Sequence, residues 1–201
     1  MKRSHWKSFI VVSVLLSLTA AIFIQFLAFH EVRAKAMNWM FDDPAYHILP
    51  IVDSSLFIFS ITYGSLIAYL TIYRKIPHAY VLLMSTYTFI LLFRIATLSL
   101  LPLVVHNDLI YLEDPFLNDW IYPSRIVADL FFSGHTALVF AIYLLSGKKW
   151  PFLVLAILIG LLLVMQRVHY SIDVLAAFPF AWCAVRLSRW VGSKMFEKSA
   201  F

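Results

Sequence analysis

Long apolar stretches separated by short polar segments dominate the pattern of this 201-residue chain. A stretch of about 20 apolar residues is long enough to cross a bilayer as a helix. We therefore expect six membrane-spanning helices, the fourth being the shortest, and treat the first as a retained span because it is too long for a signal peptide. The predicted helices cover residues 8–29, 52–73, 79–105, 130–146, 150–168 and 171–191.

The composition places this pattern in a membrane. The chain is 62% hydrophobic and only 13% charged, whereas about a quarter of the residues of a typical soluble domain are charged. A single cysteine, Cys183, excludes an intramolecular disulfide framework. The sequence thus predicts an all-α integral membrane protein, with one six-helix domain over residues 1–201.

The basic residues predict the orientation of the helices, because cytoplasmic loops are enriched in Lys and Arg. With a cytoplasmic N-terminus, both termini and the short basic turns are cytoplasmic, and Glu197 is the only acidic residue there. Such clusters are topology signals that can contact anionic lipids, so we expect no nucleic-acid partner. The basic residues on that side are Lys2, Arg3, Lys7, Arg74, Lys75, Lys148, Lys149, Arg186, Arg189, Lys194 and Lys198.

Two short motifs at the other face carry the candidate chemistry. Residues 132–136 read Phe-Ser-Gly-His-Thr and contain His135, and residues 169–173 read His-Tyr-Ser-Ile-Asp. His169 and Asp173 are four residues apart, hence on one side of a helix. A carboxylate can orient an imidazole and stabilise its cation. We expect His169 to act as nucleophile or base toward phosphorus, and His135 to protonate the leaving oxygen.

The start of the fourth helix is a predicted anion site. We expect this helix to begin near Asp129, which places Ser133 and Gly134 in its first turns. Free backbone amides and the helix dipole favour an anion there, and a glycine lets a phosphate approach closely. Asp129 either caps this helix or binds substrate.

Arg94 lies inside the third predicted span, where an ionised side chain costs about 2.5–3.5 kcal/mol. It therefore either stabilises phosphoryl oxygens or pairs with Asp53 or Asp129. Arg125 and Arg167 lie near the interface and either bind substrate or extend to the headgroups.

Four aromatic residues of the non-cytoplasmic loops are typical of an interface belt. The remaining histidines are expected to have no catalytic role. The aromatic residues are Trp39, Tyr46, Trp120 and Tyr122. The histidines are His5, His30, His47, His78 and His106.

The two histidine motifs resemble a known family. Residues 127–136 are similar to the third motif of the sphingomyelin synthase group, and residues 169–174 to its fourth. This group belongs to the type 2 phosphatidic acid phosphatase superfamily, whose members share a metal-free core of six helices. Weaker matches lie at residues 49–53 and 93–97, so the likeness covers residues 49–190.

The resemblance implies a function and site residues. Members of the group move a phospho-headgroup from a glycerophospholipid to a lipid hydroxyl such as that of ceramide, releasing diacylglycerol without a cofactor. It implies that His135, His169 and Asp173 are the catalytic triad. Arg94, Asp129 and Asp53 are implied only as residues lining the site.

Departures from the family pattern affect the substrate prediction. Val127 and Ala128 replace a Cys-Gly pair, and Tyr87 and Ile95 stand where the phosphatases have Lys and Pro. The phosphatases' arginine well upstream of the second histidine is also missing. Fewer cations suit a singly charged phosphodiester better than a doubly charged phosphomonoester, which favours headgroup transfer or phospholipase C-like cleavage.

Other interpretations stay open. A lipid phosphate phosphatase would use the same triad, a membrane cytochrome or metal protein would use His135 and His169 as ligands, and a lipid-binding scaffold would need neither. The active site is predicted on the non-cytoplasmic side, in a bacterial inner membrane or in eukaryotic Golgi, endoplasmic reticulum or plasma membrane. Headgroup, acceptor and oligomeric state are left undetermined.

Overall fold

The computed structural model describes residues 3–114 and 128–197, with side chains from 6 to 194 within those ranges. Arg125, Trp120 and Tyr122 lie outside the described residues. In the described part, six α-helices account for nearly all regular structure, and a single turn of 3-10 helix covers Pro44–His47. The helices are α1 (Arg3–Met37), α2 (Ser55–Ile72), α3 (Pro77–Leu100), α4 (Gly134–Leu145), α5 (Trp150–Met165) and α6 (Ser171–Glu197).

Four of these helices are long and apolar enough to cross a membrane, which indicates an integral membrane protein: α1, α2, α3 and α6. Helix α4 has 12 residues and α5 has 16. At about 1.5 Å per residue they extend roughly 18 and 24 Å, less than the ~30 Å hydrocarbon core. Of the six predicted spans, four thus correspond to helices of spanning length, and the other two correspond to the shorter apolar helices α4 and α5.

Helix α1 continues well past its predicted end at residue 29. Its last two turns carry charged residues that looked like a loop in the sequence, and these residues have partners in the fold. The Arg33 guanidinium donates to the Ser99 carbonyl at 2.8 Å, and Glu31 accepts from the Ala128 amide at 2.7 Å. The end of α1 therefore lies against α3 and against the segment that leads into α4.

Helix α4 is the centre of the bundle and packs against α2, α3, α5 and α6. Small residues along α4 and α6, among them Ala137, Ala141, Ala177 and Ala181, are fully buried. Small side chains let helix backbones approach closely, which is how helices associate in membranes. The first turns of α4 and α6 are thereby brought together at one end of the bundle.

The loops at this end are anchored to the helix that precedes the second histidine motif. Gln166, directly after α5, is fully buried. Its amide oxygen accepts from the Ser54 backbone N–H at 3.0 Å, and its amide nitrogen donates to the Ser55 hydroxyl at 2.7 Å. The start of α2 and the end of α5 are consequently fixed to each other.

Candidate active site

The second histidine motif lies at the junction of α5 and α6. The side chains of His169 and Asp173 are both buried, and His169 Nδ1 lies 3.4 Å from Asp173 Oδ2. The same carboxylate oxygen accepts from the Tyr170 backbone N–H at 3.0 Å. Because Nδ1 faces the carboxylate, Nε2 is the imidazole nitrogen left for chemistry.

A buried carboxylate that sequence reasoning missed caps helix α6. Asp43 accepts hydrogen bonds from the backbone N–H and the hydroxyl of Ser171, the latter at 2.8 Å. It also accepts from the Ala45 N–H at 2.9 Å, at the start of the 3-10 turn. The Asp43-Pro44 pair is a recognisable helix-start signal, but the sequence gives no sign of its second partner at Ser171.

Tyr46, which the sequence predicted as an interface-belt residue, supports the motif from the same loop. Its ring stacks on Tyr170 at 5.5 Å between centroids, and its hydroxyl donates to the His169 carbonyl at 3.1 Å. The Tyr170 hydroxyl donates to the Val104 carbonyl at 2.7 Å. Burial raises the pKa of both phenols above its ordinary value, so both remain hydrogen-bond donors at neutral pH.

Arg167 is buried, so its side chain does not extend to the headgroups, which was one of its two predicted roles. Its guanidinium donates to the carbonyls of Tyr46 at 2.7 Å and Leu49 at 2.9 Å, and lies 4.2 Å from the centroid of the Tyr46 ring. Its backbone is in the left-handed region, with φ of 61°. Besides a bond to the Val164 carbonyl at 3.3 Å, this side chain therefore contacts the 46–49 loop, whose Tyr46 hydroxyl bonds the His169 carbonyl.

The helix that carries the first histidine motif begins later than predicted. Helix α4 starts at Gly134, and its N-cap is Ser133, whose hydroxyl accepts from the Thr136 N–H at 3.3 Å. The expectation that the helix begins near Asp129, with Asp129 as a possible cap, is therefore wrong. Residues 128–132 are held in a non-helical path by long-range bonds instead, including one from the Thr97 hydroxyl to the Phe131 carbonyl at 3.0 Å.

Arg94 pairs with Asp129, one of the two predicted acidic partners. The ion pair joins Nη2 to the Asp129 carboxylate, and the Arg94 side chain is buried. A Cβ atom placed on Gly134 would lie 2.1 Å from Arg94 Nη1, so the guanidinium rests directly on the glycine backbone at the start of α4. Only glycine permits this approach.

The two histidine motifs converge. The Ser133 backbone N–H donates to the Asp173 carbonyl at 3.2 Å, and His135 is close enough to His169 and Arg94 to interact electrostatically with both. The His135 ring is partly exposed and makes an edge contact with Phe59, at 5.6 Å between centroids. The site therefore combines two imidazoles, a buried carboxylate and a guanidinium at the first turn of a helix.

Asp53 is placed differently from the other predicted site residues. It is exposed, and its carboxylate accepts from the Ser55 N–H at 3.1 Å and the Ser55 hydroxyl at 2.9 Å. These bonds form an Asx turn directly before α2, whose N-cap residue is Ser54. Within residues 3–114 and 128–197, no group of three or more His, Cys, Asp or Glu side chains is arranged to hold a metal ion.

Comparison with known families identifies the region that carries the site. Residues 128–189 match the family model described as PAP2 superfamily C-terminal. This range includes Asp129 and both histidine motifs, so the part of the chain that carries the site is similar to this superfamily. Comparison with curated proteins and with solved structures gives no significant match.

Proposed function

We propose that this protein is a membrane phosphotransferase of the sphingomyelin synthase type. It moves a phospho-headgroup from a glycerophospholipid to a lipid hydroxyl of the ceramide or diacylglycerol type, with phospholipase C-like release of diacylglycerol. The observation that carries the proposal is the buried His169–Asp173 pair at the start of α6, tied to the start of α4 by the Ser133–Asp173 backbone bond.

The arrangement supports a two-step transfer. In the first step His169 Nε2 attacks phosphorus, the bond from phosphorus to the diacylglycerol oxygen breaks, and His135 gives that oxygen a proton. Asp173 stabilises the cation on His169. In the second step the acceptor hydroxyl attacks the phosphoryl group, loses its proton to His135 and releases His169. Arg94 and the first amides of α4 stabilise the phosphoryl oxygens.

The charge at the site favours a phosphodiester substrate. Arg94 is already partnered by Asp129, and the Arg167 guanidinium is bonded to carbonyls. This leaves few free cationic hydrogen-bond donors for a doubly charged phosphomonoester, whereas a singly charged diester needs fewer. A lipid phosphate phosphatase with the same triad is the alternative.

The predicted orientation of the helices in the membrane indicates the side on which the proposed reaction takes place. Eleven of the sixteen basic residues lie on one side if both termini are cytoplasmic, and the positive-inside rule then puts the site on the other side. We accordingly propose action at the non-cytoplasmic leaflet, with the phospholipid donor and the lipid acceptor reaching the site from the bilayer.

The test is a transfer assay in detergent micelles with a chelator present. Phosphatidylcholine, phosphatidylethanolamine and phosphatidate are offered with ceramide, and products are read by mass spectrometry. We expect diacylglycerol and a headgroup-bearing acceptor, whereas phosphate release from phosphatidate alone would favour the phosphatase. His169→Ala and Asp173→Asn should lower turnover by about 10³–10⁴-fold.

A second His–Asp pair in the chain serves as a matched control for the proposed catalytic pair. His47 and Asp42 form such a pair 3.2 Å apart, with side chains 72% and 93% exposed. His47→Ala should leave turnover unchanged. Full turnover in either His169→Ala or Asp173→Asn refutes the mechanism.

A further inference from the structure

An aromatic ring of α1 covers one face of the Arg94 guanidinium. Phe23 is 6% exposed, and Arg94 Cζ lies over its ring, 5.2 Å from the centroid. A guanidinium within about 6 Å of an aromatic centroid is attracted by the negative face of the ring, and this attraction is strongest where water is excluded. Because both side chains are buried, the contact between them is a desolvated cation–π interaction.

The contacts of Arg94 divide between the edge and the face of its guanidinium. Along the edge, Nη2 donates to the Asp129 carboxylate, and Nη1 rests on the backbone of Gly134. Nε is buried and has no hydrogen-bond partner among the described residues. Contacts along the edge of a guanidinium use its N–H donors, whereas a ring against its face uses none. Phe23 therefore restrains the guanidinium plane without occupying a donor.

The packing of α1 on α3 fixes the ring beside the arginine. Phe23 belongs to the buried apolar cluster that joins α1 to Leu91 and Leu98 of α3. These two leucines lie three residues before Arg94 and four residues after it, and hence on the same side of α3. Helix α1 lies outside residues 128–189 that match the family model, so the role of Phe23 is read from this contact alone.

We propose that Phe23 is a positioning residue that holds the Arg94 guanidinium in the orientation in which it meets a phosphoryl group at the start of α4. A free arginine side chain samples many rotamers, and a cation that is fixed in advance stabilises developing charge without reorganisation. The inference rests on the proposed function in that Arg94 is the cation of the same site. Phe23 acts only through Arg94 and does not touch the reacting atoms.

Phe23→Leu keeps an apolar side chain and removes the aromatic face. We expect kcat in the micelle assay to fall about tenfold, which corresponds to about 1.4 kcal/mol and is within the range of a desolvated cation–π contact. Phe26→Leu is the matched control, because Phe26 borders the same cluster about one turn further along α1 and stacks on His30. It should lower the thermal midpoint to a similar extent and leave kcat unchanged. Equal losses of kcat in the two variants would assign the effect to packing of α1 and overturn the proposal.

Ring fluorination changes the electrostatics of Phe23 with little change in its shape. Phenylalanines with one, two and three ring fluorines at this position weaken the negative face step by step, and the cation–π attraction weakens with it. We expect kcat to fall with each fluorine toward the value of Phe23→Leu. In an Arg94→Met background no cation lies over the ring, so the same series should change kcat about twofold at most. A kcat that ignores fluorination, or that responds equally in both backgrounds, contradicts the proposal.

Binding of tungstate, an inorganic phosphate mimic, gives a readout that does not need turnover. Calorimetry should show tungstate binding to the wild type and to Phe26→Leu, and about tenfold weaker binding to Phe23→Leu. If the wild type does not bind tungstate, or if Phe23→Leu binds it equally well, the proposal about Phe23 is wrong. Binding that depends on Phe23 without any diacylglycerol release would refute the proposed reaction only.

Discussion

The two histidine motifs are held in place by different means. Around His169 the contacts are dense, with the Tyr46 hydroxyl on its carbonyl, Asp173 on its ring and Asp43 on the following helix start. His135 follows a segment that depends on distant groups, chiefly Arg94 of α3 and Glu31 of α1. The second motif is therefore held by several direct contacts on its own residues, whereas the first is held through the segment that precedes it, by the Arg94–Asp129 ion pair, the Glu31–Ala128 bond and the Thr97–Phe131 bond.

This difference predicts where single substitutions have the largest effect on activity relative to stability. Removal of one of several supports around His169 leaves the others in place. Displacement of the Arg94 guanidinium removes the cation that lies against Gly134 at the start of α4. Three substitutions outside the triad, in decreasing order of effect, test this contrast.

Gly134→Ala should give the largest effect of the three. The new Cβ would lie 2.1 Å from Arg94 Nη1 and 3.0 Å from its Cζ, so the guanidinium must leave the start of α4. We expect turnover to fall about 10²-fold or more, the range seen when one electrostatic donor to a transition state is lost. The measurement is kcat in the micelle assay, together with the thermal midpoint.

Gly64→Ala is the matched control for this substitution. Gly64 lies within α2, and nothing is within 4 Å of the position its Cβ would occupy. Alanine in a helix interior is about 0.5–1 kcal/mol more favourable than glycine, so this variant should be slightly more stable and fully active. Retention of more than half the activity in Gly134→Ala would show that Arg94 is not needed where the structure places it.

Asp43→Ala should have an intermediate effect, mainly on stability. The carboxylate caps both α6 and the 3-10 turn, and loss of a helix cap costs about 0.5–2 kcal/mol. Because the other supports of His169 remain, turnover should fall only about tenfold. Thermal denaturation and kcat measure the two effects.

The neighbouring residue provides the comparison for Asp43. Asp42 is exposed and forms an ion pair with His47, which is also exposed, so Asp42→Ala should change the thermal midpoint and kcat very little. If the two variants behave alike, Asp43 does not support the second motif.

Local patterns predicted much of this architecture. Apolar stretches gave the six helices in order, and the four-residue spacing of His169 and Asp173 predicted their contact, because helix geometry alone brings such residues together. The cost of an ionised residue in a span likewise indicated that Arg94 either binds phosphoryl oxygens or pairs with Asp53 or Asp129, and the structure shows the pair with Asp129. Each of these inferences needs only neighbouring residues or one strong energetic penalty.

Other features depend on contacts between segments far apart in the chain. The Asp43 cap joins residues 128 positions apart, and the Glu31 bond to Ala128 joins residues 97 apart. No periodicity in the sequence encodes such pairs. For the same reason the start of α4 was misplaced, since the segment before it is held by α1 and α3 and not by helix propensity.

Tyr46→Phe should have the smallest effect and tests the redundancy itself. The substitution removes one hydrogen bond to the His169 carbonyl, worth about 0.5–1.5 kcal/mol, but keeps the stacking on Tyr170. Tyr80→Phe removes a comparable bond, 2.9 Å to the Leu70 carbonyl, away from the site. Both variants should lose similar stability, and kcat should fall less than fivefold in Tyr46→Phe and not at all in Tyr80→Phe. A loss approaching that of Gly134→Ala would mean that the two motifs are equally vulnerable, and the contrast between them would then fail.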